Sequence, residues 1–355
     1  MNLVKIFSML WILIGLVETF APIANAGQDP VLENELARAA MEFKVPYLLL
    51  HSIARVESGG EHRLPKDEDP RNDRKSPPSY GVMGLRNDAW FGKSLLKSAQ
   101  LLGRNSDDLI MDRKTNIRAA AAYLRSLAME EDARGGSISM DAQTALTKNL
   151  LPWSKVIERY SGIPGADAKI YASEILAAMA PWNPPMVEAA SQQSPPIIWD
   201  PTPNHSGRLH PRFIVIHTTE GPYATAISWF KNPESAASAH YVIRGDGAIT
   251  QMVDDDTVAW HARCWNDYAI GIEHEAYSTN GSGMTNALYN SSARLVKMLA
   301  EKYNIPLDKD HIIGHDFWET KEFLSTPVLG DCQDHNDPGP YWDWRRYFNS
   351  LMENI

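Results

Sequence analysis

Phe213-Ile-Val-Ile-His217 and Ala269-Ile-Gly-Ile-Glu273 decide the fold of the C-terminal half of this 355-residue chain. Each is a short apolar run that reads as a strand and ends on a polar side chain. His311-Ile-Ile-Gly-His315 repeats the pattern, and His335-Asn-Asp337-Pro-Gly-Pro340 sets a carboxylate in a Pro/Gly turn. Tyr241–Arg244 and Ile249–Val253 also read as strands, and Gly245-Asp-Gly247 is a turn between them. Residues 212–355 are therefore expected to form an α/β domain with a central mixed sheet.

The chain before this region reads differently. Val31 to Phe43, Leu48 to Val56, Asn116 to Met129 and Ile170 to Met179 carry apolar residues at helical spacing, and strand alternation is nearly absent. An all-α domain over residues 27–180 is expected, giving an α+β multidomain chain with no internal repeat between its halves. From 181 to 211 prolines cluster, as in Pro181-Trp-Asn-Pro-Pro185 and Asp200-Pro-Thr-Pro203, which predicts an extended, semi-rigid connector. Residues 1–26 have a Lys5-containing start, an apolar run from Ile6 to Val17 and an Ala24-Asn-Ala26 end, the three parts of a secretory signal peptide. That run is short for a membrane span, so the mature protein is expected to be exported to the periplasm or beyond, with no transmembrane span.

A formal net charge of −10 argues against nucleic acid as a partner, because such binding needs a basic face. The two cysteines, Cys264 and Cys332, lie near Glu273 and Asp337. In an oxidising compartment they would pair as a disulfide; two buried thiols are the alternative.

Two imidazoles and a carboxylate suffice to hold a catalytic zinc while leaving a position open. His217, His315 and Asp337 supply that set, and Glu273, at the end of its own strand, could serve as a base. Singly, each has a plainer reading: a histidine after a strand is usually structural, and Asp-Pro-Gly alone is a turn. Jointly they read as a zinc hydrolase site. His240 and His261 fit either substrate contact or a buried structural role. His274 and His311 should point away from the site, since strand neighbours alternate faces.

Ile216-His217-Thr218, Ser238-Ala-His-Tyr241, Ala259-Trp-His-Ala262, Ile270-Gly-Ile-Glu273, Gly314-His315 and Asp337-Pro-Gly-Pro-Tyr-Trp-Asp-Trp344 resemble, in order, the zinc-dependent N-acetylmuramoyl-L-alanine amidases related to peptidoglycan-recognition proteins and T7-type lysozyme. The resemblance covers about Arg212 to Phe348. It implies that His217, His315 and Asp337 bind Zn2+, that Glu273 is the catalytic acid/base, and that the substrate is the amide between N-acetylmuramic acid and L-alanine in peptidoglycan or muropeptides. Many members carry a lysine two residues before the aspartate ligand. Here His335 stands there, a donor to the oxyanion whose charge depends on pH, as a lysine's usually does not. Some relatives use cysteine as third ligand, a role open to Cys332, but Asp337 before Pro338-Gly339 matches better. Recognition-only relatives, which bind muropeptides without catalysis, lack a complete ligand set, and this chain keeps all three ligands with Glu273.

The helical half has its own resemblance. Ile53-Ala-Arg-Val-Glu57-Ser58-Gly59, Tyr80-Gly-Val-Met-Gly-Leu85, Asn116-Ile-Arg-Ala-Ala-Ala-Ala-Tyr-Leu124 and Arg159-Tyr-Ser-Gly162 are similar to blocks of lysozyme-like lytic transglycosylases. The resemblance implies that Glu57 protonates the glycosidic oxygen and then acts as base while a 1,6-anhydro ring closes. One carboxyl does both jobs, unlike standard hydrolysis with two. Where that family commonly has a glutamine after Gly-Leu, this chain has Arg86-Asn87. A purely glycan-binding domain is the alternative.

Overall fold

The computed structural model describes residues 29–64, 76–140, 144–179, 196–316 and 335–352. The signal-peptide reading, Cys332, the side chain of Cys264 and residues 181–195 of the expected connector lie outside the described residues.

The N-terminal half is helical where the spacing predicts, with ends set by local chemistry. Helix α1 (Pro30–Phe43) begins with Pro at its first turn and Asp29 accepting from the Val31 N–H, and it ends with Lys44 in the left-handed region. Helix α2 (Tyr47–Ser58) stops at Gly59, whose φ of 66° suits the left-handed C-cap. A two-residue hairpin, β1 (Ser79–Tyr80) with β2 (Leu85–Arg86), is a small departure from the all-α expectation. Then come α3 (Ser94–Leu102), α4 (Ser106–Met111) and the long α5 (Arg113–Ala133). The buried alanines Ala119 to Ala122 make the middle of α5 narrow enough for neighbours on several sides. Helices α6 (Ser154–Ser161) and α7 (Asp167–Ala177) close this half.

The C-terminal half begins earlier than the proline pattern suggests. Strand β3 (Ile197–Trp199), inside the stretch read as connector, pairs in parallel with β7 (Ile249–Gln251) at one edge of the main sheet. Strand β4 (His205–Arg208) pairs with β8 (Thr257–Ala259). Prolines at 196, 201 and 203 flank these strands and occupy no ladder position, so they do not break them. The rest runs β5 (Phe213–Thr218), α8 (Tyr223–Lys231), β6 (Tyr241–Ile243), β7, β8, β9 (Ala269–His274), α9 (Asn286–Tyr303), β10 (Ile312–Gly314) and α10 (Trp344–Met352). The six-stranded sheet has the order β10-β5-β9-β6-β7-β3 and is mixed: only the β6–β7 pair is antiparallel.

Register decides which side chains share a face. Ile214, Ile216, Ile270, Ile272 and Ile312 pack on the α9 and α10 side. Phe213, Val215, Ala269 and Ile313 form a small cluster on the opposite face, with Ala262 and Trp265. His217 and Glu273 extend that second face, since they are register partners at the C-terminal ends of β5 and β9.

The two halves are packed together rather than held apart as the connector reading suggests. Ala224 belongs to the helical half's core, with Trp229 against it. Trp90 Nε1 donates to Ser228 Oγ at 3.2 Å, and Lys231 reaches Asp167 at 3.0 Å. Helix α8 follows Pro222, which supplies no capping side chain. Its free N–H groups are instead met by two carboxylates: Glu275 accepts from Tyr223 N at 3.0 Å, and Glu174 of α7 accepts from Ala224 N at 3.2 Å. Burial, then the proximity of Glu275, pushes the Glu174 carboxyl well above the usual range. Among the described residues no helix is long and apolar enough to cross a membrane.

Candidate metal centre

Strands β5 and β10 lie side by side, so the residue after Gly314 falls beside His217. The Asp337-Pro338-Gly339 turn then brings its carboxylate between the two rings. Asp337 Oδ2 is 3.0 Å from His217 Nδ1, and Oδ1 is 3.1 Å from His315 Nδ1. All three residues are buried, and one ligand atom from each lies within 4.8 Å of the others.

Hydrogen bonding behind the site dictates which atoms carry protons. His261 Nε2 lies 3.1 Å from the Ala269 carbonyl, an acceptor only, so that nitrogen donates. Burial, then the neighbouring histidines, holds His261 well below the usual imidazole range, so it is neutral and its Nδ1 accepts. His217 Nε2, 3.0 Å from that Nδ1, must donate to it. His217 Nδ1 is then the atom that faces the Asp337 carboxylate. A cation held between that nitrogen and the carboxylate, a metal ion or a proton, satisfies both, and His, His and Asp are a donor set that suits zinc. The residues therefore fit the metal their pattern predicted. Burial, ahead of every other influence, holds His315 down at about 3, in the neutral form a ligand requires.

Glycine at 271 makes this support possible. A Cβ there would overlap the His261 ring, so the strand must be bare for that ring to lie across it behind His217. His335 stacks on His315 with ring centroids 3.7 Å apart, and its Nδ1 is 3.8 Å from Asp337 Oδ1. Glu273 is half-buried on the same face as His217.

The remaining histidines sort by their bonds. His240 is structural: Nδ1 accepts from Gly271 N at 3.0 Å and Nε2 donates to Thr257 O at 3.0 Å. His274 points to the other face, bonded to His217 O and Ser292 Oγ. His311 pairs with Asp308 at 2.7 Å. The supporting role of His261 was not specified by the sequence; its one signal was the glycine in the middle of an otherwise apolar strand.

Glu57 occupies a second buried position, in the helical half. It is 3% exposed, Tyr171 donates to its Oε1 at 2.6 Å, and Gly84 abuts it so closely that a Cβ there would overlap the carboxylate. The hairpin carrying Gly84 is clamped by Asn116, whose Oδ1 accepts from Met83 N and whose Nδ2 donates to Leu109 O. Burial pushes the Glu57 carboxyl up; Arg86, whose Nη2 is 4.0 Å away, and the Tyr171 bond pull it down. The departure Arg86 therefore sits at Glu57 itself.

A mixed sheet with a buried His-His-Asp group that could hold a metal ion defines an α/β protein with a candidate metal centre, and comparison with known proteins names the family. The family described as N-acetylmuramoyl-L-alanine amidase matches residues 207–340. N-acetylmuramoyl-L-alanine amidase A of Achromobacter lyticus is 36% identical over 167 residues, covering 43% of this chain and 92% of that protein. The 1,6-anhydro-N-acetylmuramyl-L-alanine amidase AmpD of Haemophilus influenzae is 36% identical over 123 residues, 32% of this chain and 58% of that protein. A solved structure of a selenomethionine AmpD derivative has 28% identity, a TM-score of 0.34, and covers 44% of this chain and 94% of that one. The chain belongs to the N-acetylmuramoyl-L-alanine amidase family, and the enzyme expectation holds in that form.

Proposed function

We propose that this protein is a zinc-dependent peptidoglycan amidase, exported to the cell envelope, that cleaves the bond between the lactyl group of N-acetylmuramic acid and L-alanine. The observation that carries this reading is the buried His217, His315 and Asp337 set, in which His217 Nε2 donates to His261 and Nδ1 is the atom that faces Asp337. These three side chains would hold the ion. When bound, zinc supplies a Lewis acid for the amide carbonyl and lowers the pKa of a water. The Glu273 carboxylate, beside His217 in register, takes the proton from the attacking water and returns it to the departing alanine nitrogen. His335 lies at the rim and is assigned as donor to the oxyanion. His261 holds His217 in the tautomer the site needs. Digestion of purified peptidoglycan followed by mass spectrometry tests the reading: free stem peptides beginning with L-alanine are expected, and intact stems would refute it.

A second reading concerns the helical half as a lysozyme-like lytic transglycosylase. What favours it is a buried carboxyl at Glu57 that burial keeps protonated to higher pH than usual, as a general acid requires. The Arg86 guanidinium, which pulls the carboxyl down, and the low exposure of Glu57 count against that catalytic role, and a glycan-binding domain is the alternative. Release of 1,6-anhydro-muramyl products, abolished by Glu57→Gln, would decide for catalysis.

A further inference from the structure

Besides helix α8, a second segment joins the halves, and that segment also touches the turn carrying Asp337. Beyond β9 the chain continues through Tyr277 to Gly283. On one side it meets the helical half: Tyr277 OH donates to Val56 O at 2.6 Å, and a Cβ on Gly59 would lie 2.9 Å from Ser282 Cβ. On the other side it meets the ligand turn. A Cβ on Gly339, two residues past Asp337, would lie 2.7 Å from Ser278 O, and one on Gly281 would lie 2.9 Å from Tyr341 Cβ. The segment is thus wedged between α2 and the Asp337 turn without room for a methyl group on either side.

Arg63 locks this wedge from the helical half. Its backbone is pinned by Gly81 N donating to Arg63 O at 2.9 Å. Its guanidinium lies 4.3 Å over the Tyr277 ring, and Nη1 donates to Glu220 O at 2.7 Å. Glu220 stands three residues after His217 with φ at 52°, a left-handed conformation that a glutamate adopts only when its surroundings enforce it. Its Oε1 accepts from Thr218 Oγ1 at 2.7 Å and from Ser278 N at 2.8 Å, while Oε2 is 3.6 Å from Arg63 Nη2. One guanidinium therefore fixes the exit of the strand that carries His217 and the segment that backs Asp337.

We propose that Arg63 is a positioning residue of the amidase centre, so that the helical half is a structural part of that centre and not only a second module; this rests on the zinc amidase reading above. The test uses the full chain with Arg63→Met, which keeps an aliphatic stem on Tyr277, and Glu220→Gln on the opposite side. Each variant is expected to bind zinc about tenfold more weakly and to lose about tenfold in kcat with KM within about twofold. Amide exchange at Trp342, whose N–H bonds to Gly339 O, should quicken in both, and Arg63→Lys should recover part of each loss. The double variant should lose no more than the worse single one, because the two act as a unit. Wild-type zinc affinity, kcat and Trp342 exchange in Arg63→Met, or strictly additive losses in the double variant, would overturn the proposal. A wild-type chain that bound no zinc would overturn the functional reading instead, and the exchange comparison would still decide this one.

Discussion

Replacing His261 by alanine isolates the support behind the metal centre without touching a ligand. The variant loses the acceptor for His217 Nε2–H and the bond from His261 to Ala269 O. His217 can then turn or take its proton on Nδ1, the atom facing Asp337. A lost hydrogen bond to a metal-ligating histidine costs about 10–100-fold in metal affinity, or about 1.4–2.7 kcal/mol. The expectation is a zinc dissociation constant weaker by that factor, measured by competition with a chromophoric chelator, with secondary structure intact. Gly271→Ala should reproduce much of the loss, since its methyl group would displace the same ring. The two substitutions touch different residues, so agreement between them would identify the ring as the cause. If His261→Ala bound zinc like the wild type, the tautomer argument would fail.

Glu273→Gln should retain zinc and lower kcat by about a hundredfold or more, checked by metal analysis beside steady-state rates; loss of the metal would make Glu273 a structural support. Acid should destabilise the fold through His240 and His274, which burial holds at about 4 and about 3 against an ordinary 6.5. Both stay neutral in the native state while the unfolded chain takes up protons, so stability is full above about pH 6.5 and falls by about 1.4 kcal/mol per pH unit for each as pH drops towards 4. A denaturant midpoint flat from pH 7 to 5 would contradict this. Glu174→Gln should stabilise at pH 8 and matter little at pH 5: the native carboxyl is raised by burial and by Glu275, so the wild type loses stability as pH rises through the native value. Equal melting shifts at both pH values would count against it.

How far the residues alone reach depends on the kind of interaction. Strands at Phe213, Tyr241, Ile249 and Ala269, and the four named helices, were readable because each buries a repeating apolar pattern. The cluster of His217, His315 and Asp337 was readable because each histidine ends such a run and the aspartate opens a Pro/Gly turn. Strand β3 was not, because Ile197-Ile-Trp199 is exposed at a sheet edge among prolines and only its partner β7 makes it a strand. Helix α9 was passed over although Thr285 caps it and Leu288, Leu295 and Leu299 mark its buried face. The packing of the two halves left no local signal at all: Glu174, Tyr277 and Arg63 look like ordinary surface-helix or loop residues until the fold brings their partners to them.

The central claim is a single zinc held by His217, His315 and Asp337 and required for cutting the muramyl–alanine amide. Titrating zinc into chelator-stripped protein while following release of stem peptides from peptidoglycan tests it most directly. Activity should rise from background to a plateau at about one zinc per chain, with His315→Ala remaining at background throughout. Full amide cleavage by the stripped protein, or normal turnover in His315→Ala, would contradict the account.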